Sequence, residues 1–219
     1  SSNGSVASTT KMEGDVNTIH HDGPASFSVD GTKMYFSRNN FLNDKKTEDE
    51  KGIMHVGIYS AELVNGKWTN VKASNLNNPN YIVYHPSISK DGKKLYFASD
   101  MNGGFGGTDI YVSDVNADGS FGTPKNVGDV VNTEGNEAFP FIHQEEDALY
   151  FSSDGHVGFG LMDVFASVKD ENDVIVNVIN LGEPINSKKD DFAYYLSDDG
   201  FKGYISSNRK GGVGGDDIY

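Results

Sequence analysis

Hydrophobic and polar residues alternate along this chain in short runs that return at a constant spacing. Three triplets, Asp109–Tyr111, Asp163–Phe165 and Asp217–Tyr219, follow one another at intervals of 54 residues. The aromatic pairs Tyr96-Phe97 and Tyr150-Phe151 keep the same interval. Because several landmarks share one register, the chain contains a repeat. A repeat of this length indicates units that are stacked in a row or arranged around an axis.

Each repeat predicts four short antiparallel strands. In the second copy we place these strands at 85–89, 94–99, 109–114 and 121–127. Tight turns rich in Asp, Asn and Gly separate the first strand from the second and the third from the fourth,. The second strand is a nearly continuous apolar run, which is typical of a strand covered on both faces. Four-stranded antiparallel units with aromatic cores are the blades of a β-propeller.

An earlier copy opens the chain and carries an insertion. Residues 27–31 match residues 88–92, but Gly57 stands where the later copies have the triplet Asp. The charged run at 45–51 predicts a solvated loop between the second and third strands of this copy. Further on, Asn65-Gly66 predicts a β-hairpin turn,. The four copies give approximate blade boundaries, which we list as 18–72, 81–127, 135–181 and 190–219.

The two ends leave the number of blades open. Residues 5–12 resemble the outer strand of a blade, whereas the last copy stops inside its third strand. Either this N-terminal strand completes the last blade and closes a four-bladed ring, or the four blades belong to a ring of five or six. We favour the larger ring, since an exposed strand edge favours aggregation. The predicted fold class is therefore all-β, a single β-propeller domain or fragment over residues 1–219 with four visible blades.

Charge and composition narrow the classes of partner. The chain has 18 Lys and Arg against 32 Asp and Glu, which gives a net charge of −14. Nucleic-acid backbones require basic patches, so we expect no nucleic-acid partner. Without cysteine, disulfides and thiolate chemistry are excluded,. No apolar run approaches the roughly 18 residues of a membrane span, so no direct span is expected.

Two stretches carry a family resemblance. Residues 86–100, together with Gly103-Gly104 and 106–111, resemble the WD-like propeller repeats of TolB. The connector at 124–133 with Glu137–Pro140 is similar to the propellers of Bacteroidetes OmpA-family outer-membrane lipoproteins, which include a component of type IX secretion. The resemblance covers residues 14–219. It implies a periplasmic, outer-membrane-associated protein that binds envelope or secretion-complex proteins, and it assigns peptidoglycan binding to a domain not present in this chain.

One rim of the predicted propeller is the expected docking face. The connections between second and third strands and those between blades lie on this rim, and binding residues are often found on loops held by a rigid scaffold. The insertion at 41–51 is the first candidate, because packing explains it least. The candidate partner-binding residues are Arg38, Asn39, Asn40, Lys45, Glu48, Asp49, His20, His21, His85 and His156.

The repeated acidic residues indicate structure and not catalysis. A catalytic site needs one constellation, whereas the triplet Asp returns in three copies; we interpret it as an acceptor for backbone N–H groups of the preceding glycine-rich loop. Residues 114–119 match the first half of a calcium loop, but Lys125 stands at the twelfth position, and a hairpin turn fits better,. Adjacent His20 and His21 point in opposite directions on an extended chain. We therefore predict no catalytic residue, no metal site and no cofactor.

Three functions remain in competition. The preferred hypothesis is a non-enzymatic protein-interaction scaffold of the bacterial cell envelope. The alternative is a propeller-fold glycan hydrolase, which would need carboxylates at the central funnel. A third hypothesis is a metal- or ligand-sensing domain, for which chelation would shift the melting temperature.

Overall fold

The chain forms an all-β structure of four antiparallel sheets arranged as a β-propeller, which confirms the predicted fold class. The computed structural model describes residues 10–219, except 20, 40, 43, 44, 47, 49, 144, 146 and 147. Within these residues every regular element is a strand. Consequently, the described part of the chain holds no helix of the length and apolar character that crossing a membrane requires.

Each blade uses strands that follow one another in the chain and pair antiparallel. The first blade contains β1 (Asp22–Phe27), β2 (Lys33–Asn39), β5 (Val56–Val64) and β6 (Lys67–Ala73). The second contains β7 (Val83–Ile88), β8 (Lys94–Ser99), β9 (Asp109–Asp114) and β10 (Lys125–Asn126). The third contains β11 (Glu137–Ile142), β12 (Leu149–Ser153), β13 (Asp163–Lys169) and β14 (Ile175–Asn180). The fourth contains β15 (Asp191–Leu196), β16 (Gly203–Ser207) and β17 (Asp217–Ile218).

Two turn predictions in the first blade have different outcomes. Asn65 and Gly66 join β5 to β6 with φ angles of 51° and 78°, so the predicted hairpin turn is confirmed,. The insertion, expected to be a solvated loop, contains a two-stranded sheet of β3 (Phe41–Leu42) and β4 (Lys45–Lys46). Its charged sequence gave no strand signal, because a two-residue strand is too short for alternation to appear.

Apolar clusters between neighbouring sheets hold the blades together. Tyr35 and Ile58 of the first blade pack with Phe97 of the second, and Ile110 of the second packs with Phe151 of the third. Phe97 and Ile110 have no exposed surface. Since the second and third sheets are covered by neighbours on both sides, their middle strands β8 and β12 are largely buried on both faces. This coverage explains the nearly continuous apolar runs seen in the sequence.

An asparagine in the connector fastens each of the first three blades. The side chain of Asn132 accepts a hydrogen bond from the Ile110 N–H at 2.7 Å and donates one to the Ile110 carbonyl at 3.0 Å. Asn77 with Ile58 and Asn186 with Val164 repeat both bonds. The amide therefore pairs a buried N–H of the third strand, and it shares the carbonyl with the backbone N–H of Val127, Ser74 or Leu181,. These bonds fix the connectors that lead into β7, β11 and β15.

The N-terminal segment lies against the first blade. Gly14 forms a parallel bridge with Trp68, and Val16 is buried in a cluster with Phe36 and Tyr59. Of the predicted N-terminal strand, residues 10–12 are irregular and residues 5–9 lie outside the described residues.

Candidate functional site

The triplet carboxylates are structural, as the sequence predicted. Asp109 is buried and accepts hydrogen bonds from the backbone N–H groups of Phe105 at 2.7 Å and Gly106 at 3.1 Å, and from the Asn126 amide at 2.6 Å. Asp163 repeats this arrangement with Phe159, Gly160 and Asn180, and Asp217 accepts the Gly214 N–H. These acids hold the glycine-rich loops.

Acidic residues between the blades are engaged in the same way. Glu137 is completely buried and accepts hydrogen bonds from the Thr133 N–H, the Thr133 hydroxyl and the Ser153 hydroxyl. Asp191 is equally buried and forms an ion pair with Arg209 at 2.5 Å. A buried carboxylate is tolerated only when it is paired or hydrogen-bonded, and both satisfy that condition. The possible calcium loop is a turn in which Asp118 accepts from Ser120.

Arg38, predicted as a rim contact, has its side chain inside the first blade. Its guanidinium pairs with Asp22 at 2.6 Å and donates to the Val16 carbonyl at 2.9 Å. The same group lies 4.8 Å from the Phe36 ring centroid and 5.4 Å from that of Tyr59. Only 7% of Arg38 is exposed, so its contacts are with its own blade,.

The other predicted residues with described positions have different surroundings. His21 and Glu48 are exposed. Asn39 is the last residue of β2, and Lys45 is the first residue of β4. The ring of His156 packs on Phe165, with its Nε2 atom 2.8 Å from the Val131 carbonyl. His20, Asn40 and Asp49 lie outside the described residues. Among the residues with described positions, no group of three or more His, Asp or Glu side chains could hold a metal ion.

The innermost strands instead surround a central cavity of about 440 Å³. Its wall consists of residues 24–29 of the first blade, 85–87 of the second, 139–141 of the third and 193–195 of the fourth. Lys90, Glu145 and Asp198, from the turns that follow β7, β11 and β15, also line it. The volume falls within the roughly 300–1,000 Å³ of small-molecule sites.

Backbone bulges shape the cavity wall. The pairing of β7 with β8 shifts register between Tyr84 and Ser87, and equivalent shifts occur in β1, β11 and β15. At the bulge, His85, Phe139 and Ala193 have φ angles of 52°, 49° and 53°. Left-handed backbone is unfavourable for residues other than glycine and is concentrated at functional sites. Bulges also redirect side chains, and here they lie where the wall faces the axis.

His85 holds a fixed orientation in this wall. Its Nδ1 atom accepts a hydrogen bond from the Phe139 N–H at 3.2 Å, and its ring stacks on Phe139 with centroids 3.7 Å apart and planes 16° apart. The centroid of the Tyr84 ring lies 3.8 Å from the centroid of the His85 ring. An acceptor at Nδ1 requires a neutral imidazole with the proton on Nε2. Burial lowers the pKa of His85 to about 3, which agrees with the neutral form,.

Aromatic side chains continue around the axis. Phe139 contacts Phe192 at 5.1 Å between centroids, and Phe141 contacts Tyr195 at 5.3 Å. In the turns, Lys90 pairs with Glu145 at 2.5 Å, and the hydrogen bond from this ammonium lowers the pKa of the Glu145 carboxyl. The cavity therefore combines flat apolar walls with a small set of charges, the composition typical of ligand sites.

The sequence prediction identified His85 but assigned it to a rim connection. The structure places His85 within β7, beside the cavity. A signal for this position exists in the sequence: His85-Pro86 and Phe139-Pro140 are 54 residues apart. Proline inside a strand indicates an edge or a bulge, and β7 and β11 are both edge strands with bulges,.

Sequence comparison alone identifies no relative. No protein-family model matches the chain, and no curated protein matches it.

Solved structures do share its fold. TolB from Acinetobacter baumannii matches with 18% identity and a TM-score of 0.54, over 91% of this chain and 40% of that one. A TolB from Agrobacterium tumefaciens matches with 20% identity and a TM-score of 0.56, over 90% of this chain and 57% of that one. A puromycin-hydrolyzing peptidase from Mycobacterium tuberculosis matches with 11% identity and a TM-score of 0.51, over 85% of this chain and 25% of that one. The chain is thus a TolB-like β-propeller in fold, and it spans about half or less of the length of these proteins.

Proposed function

We propose that this chain is a non-enzymatic protein-interaction module of the bacterial cell envelope. In this proposal it is the propeller of a periplasmic, outer-membrane-associated OmpA-family lipoprotein, and its partners are envelope or type IX secretion proteins. The TolB-like fold and the resemblance of residues 86–111 and 124–140 to such propellers support this assignment. The rim loops, with the insertion at 41–51 foremost, remain the proposed partner contacts.

One observation carries the non-enzymatic part of the proposal. The repeated acids, such as Asp109 and Glu137, accept hydrogen bonds from the propeller's own backbone N–H and hydroxyl groups. Among the described residues, two acids line the cavity, and one of them, Glu145, is paired with Lys90. Glycoside hydrolysis needs two carboxylates that flank one bond, one of which has a raised pKa. The pKa of Glu145 is shifted in the opposite direction.

Cross-linking and affinity capture from gently solubilised cell envelopes test the proposal. The full protein that contains this chain serves as bait, and a variant without residues 41–51 is the matched control. We expect secretion or outer-membrane proteins to be captured and to be lost with the deletion. If the intact bait captures none, the scaffold proposal is wrong.

Turnover assays on envelope glycans test the hydrolase alternative in parallel. The scaffold proposal predicts no turnover. Turnover that disappears in Asp198→Asn or Glu145→Gln, with the fold retained by circular dichroism, would favour the hydrolase instead.

A further inference from the structure

The imidazole of His85 is the best-defined polar group of the central cavity. The Phe139 N–H fixes its Nδ1 atom, and the rings of Phe139 and Tyr84 lie 3.7 and 3.8 Å from its centroid. The serine hydroxyls of the wall are also in use, since Ser26 and Ser87 accept backbone N–H groups of the next blade. The direction of the His85 ring is thus determined before any ligand arrives.

The opposite side of this ring is unused. The Nε2–H of His85 has no hydrogen-bond partner among the described residues. Within the same part of the chain, Ser152 Oγ is the one buried side-chain polar atom that lacks a partner. The Nε2–H of His85 is therefore accessible, and the residue lines the cavity. It is an oriented donor for a molecule that enters there.

The blade itself does not need a histidine at this position. The equivalent residues of the other three blades are Pro24, Phe139 and Ala193, and each of these blades forms the same bulged inner strand. Phe139 and Ala193 share the left-handed φ of His85, so this backbone conformation belongs to the bulge, whereas the side chain at the position varies between blades. The imidazole is therefore a feature of the second blade alone and is available for a role in binding.

The surroundings define the chemistry of the ligand. An N–H donor requires an acceptor, and rings such as Phe139, Phe141 and Tyr195 favour a flat apolar group,. Within the described part of the lining, Lys90 is neutralised by Glu145, so Asp198 leaves an excess of negative charge. An anionic acceptor is therefore disfavoured, and a neutral carbonyl oxygen fits.

We propose that His85 is a specificity-determining residue of the cavity, which donates its Nε2–H to the carbonyl oxygen of a neutral ligand carrying a flat apolar ring. Phe139, Phe141 and Tyr195 pack against that ring. This inference deepens the proposed function and rests on it, since it gives the cavity a role in recognising a partner or ligand group.

Titration with three small probes tests the inference on the full chain. Benzamide has a ring and a neutral carbonyl, benzoate has an anionic acceptor, and toluene is neutral and has no acceptor. Side-chain ¹H–¹⁵N spectra report the His85 Nε2 nucleus directly. We expect benzamide to shift this nucleus, and to bind about tenfold more tightly than benzoate or toluene, since one hydrogen bond contributes on the order of 1 kcal/mol.

Two variants separate the donor from the ring. His85→Phe keeps an aromatic ring but has no donor, and we expect about tenfold weaker benzamide binding. His85→Gln supplies an amide donor and an acceptor for the Phe139 N–H, and we expect affinity within a few-fold of the parent. Circular dichroism checks the fold of both. If His85→Phe does not fold, two measurements still test the inference: the shift of the wild-type His85 Nε2 signal by benzamide, and the benzamide affinity of His85→Gln.

Three results would overturn the inference. The first is no shift of the His85 Nε2 signal by benzamide up to its solubility limit. The second is undiminished binding by folded His85→Phe, and the third is equal binding of the three probes. Envelope capture with His85→Phe as bait distinguishes the two proposals: if it recovers the same partners while benzamide leaves His85 unchanged, the scaffold stands and the role of His85 is wrong.

Discussion

The glycine-rich loops and the central cavity are built by the same repeat, yet their polar groups differ in availability. In the loops, Asp109 and Asp163 occupy equivalent positions and accept the same set of backbone hydrogen bonds. In the cavity, the equivalent positions hold Pro24, His85 and Phe139, with alanine in the fourth blade, and one side of the histidine is unpartnered.

This difference separates the structural part of the repeat from the part that is available for binding. The triplet Asp, which holds the glycine-rich loop, returns in the second, third and fourth blades and accepts backbone hydrogen bonds in each. A position that varies between copies, while the backbone stays the same, is not fixed by folding. In a repeat protein, the variable positions of an otherwise regular wall are therefore where recognition should be sought.

The largest expected effect lies in the loops. Asp163→Ala removes a buried acceptor and leaves the N–H groups of Phe159 and Gly160 and the amide of Asn180 without it. Hydrogen bonds to charged groups are strong, so we expect a loss of about 3–4 kcal/mol in unfolding free energy. Urea unfolding followed by circular dichroism measures it.

Asp170→Ala is the matched control in the same blade. Asp170 accepts N–H groups of Asn172 and Val174 in an exposed turn, where water can replace it. A much smaller shift of the unfolding midpoint is expected. Equal midpoints for the two variants would show that the loop carboxylate does not stabilise the fold more than an ordinary turn.

The next effect belongs to the cavity and depends on pH. Unfolded His85 takes up a proton near its ordinary pKa of 6.5, whereas the folded residue stays neutral down to about 3. Below pH 6.5 the unfolded state therefore binds more protons, and stability falls as pH falls toward 3. Between pH 7 and pH 4 we expect the wild type to lose about 3 kcal/mol more than His85→Gln.

Urea unfolding of both proteins at several pH values measures this difference. The exposed turn residue Asp30, whose pKa is lowered to about 2, acts in the same direction in both proteins and cancels. The hydrogen bond from Ser28 is the main cause of that lowered pKa. Parallel pH profiles would mean that His85 is protonated in the folded state, against the neutral tautomer derived above.

A smaller effect tests the strain in the cavity wall. Ala193→Gly relieves a left-handed φ of 53°, so we expect a gain of about 0.5–1 kcal/mol,. Ala98→Gly is the control, since Ala98 lies in regular β8 and glycine there should destabilise by about as much,. Thermal unfolding gives both values. Destabilisation by Ala193→Gly would contradict the assignment of strain to the bulge.

The smallest effect is expected at the cavity turns. Lys90→Ala breaks the pair with Glu145, but both side chains are about half exposed. Exposed ion pairs contribute little to stability, so the melting temperature should not change measurably. The charge of the cavity lining becomes more negative, however, and benzoate binding should weaken relative to benzamide. A clear drop in melting temperature would mean that the pair fastens the two blades.

Much of the fold could be predicted because its signals are local. The Asn65-Gly66 turn, the aromatic second strands and the recurring Asp can each be recognised from a few adjacent residues. The sequence pattern that indicates the cavity is weaker, since His85-Pro86 and Phe139-Pro140 resemble ordinary connector residues until their strands are known. The burial of Arg38 could not be predicted, because its contacts with Asp22 and Val16 bridge residues far apart in sequence.

The sequence by itself determined the repeat, the all-β class and the structural role of the triplet acids. Periodicity and turn chemistry depend on neighbouring residues, so one chain suffices to reveal them. Tertiary structure alone decided which residues meet at the axis and that the His85 Nε2–H has no partner among the described residues. His85 and Phe139 are 54 residues apart, and only the circular arrangement of blades brings the N–H of one to the imidazole of the other. Contacts of that kind depend on the packing of whole sheets, which no local pattern encodes.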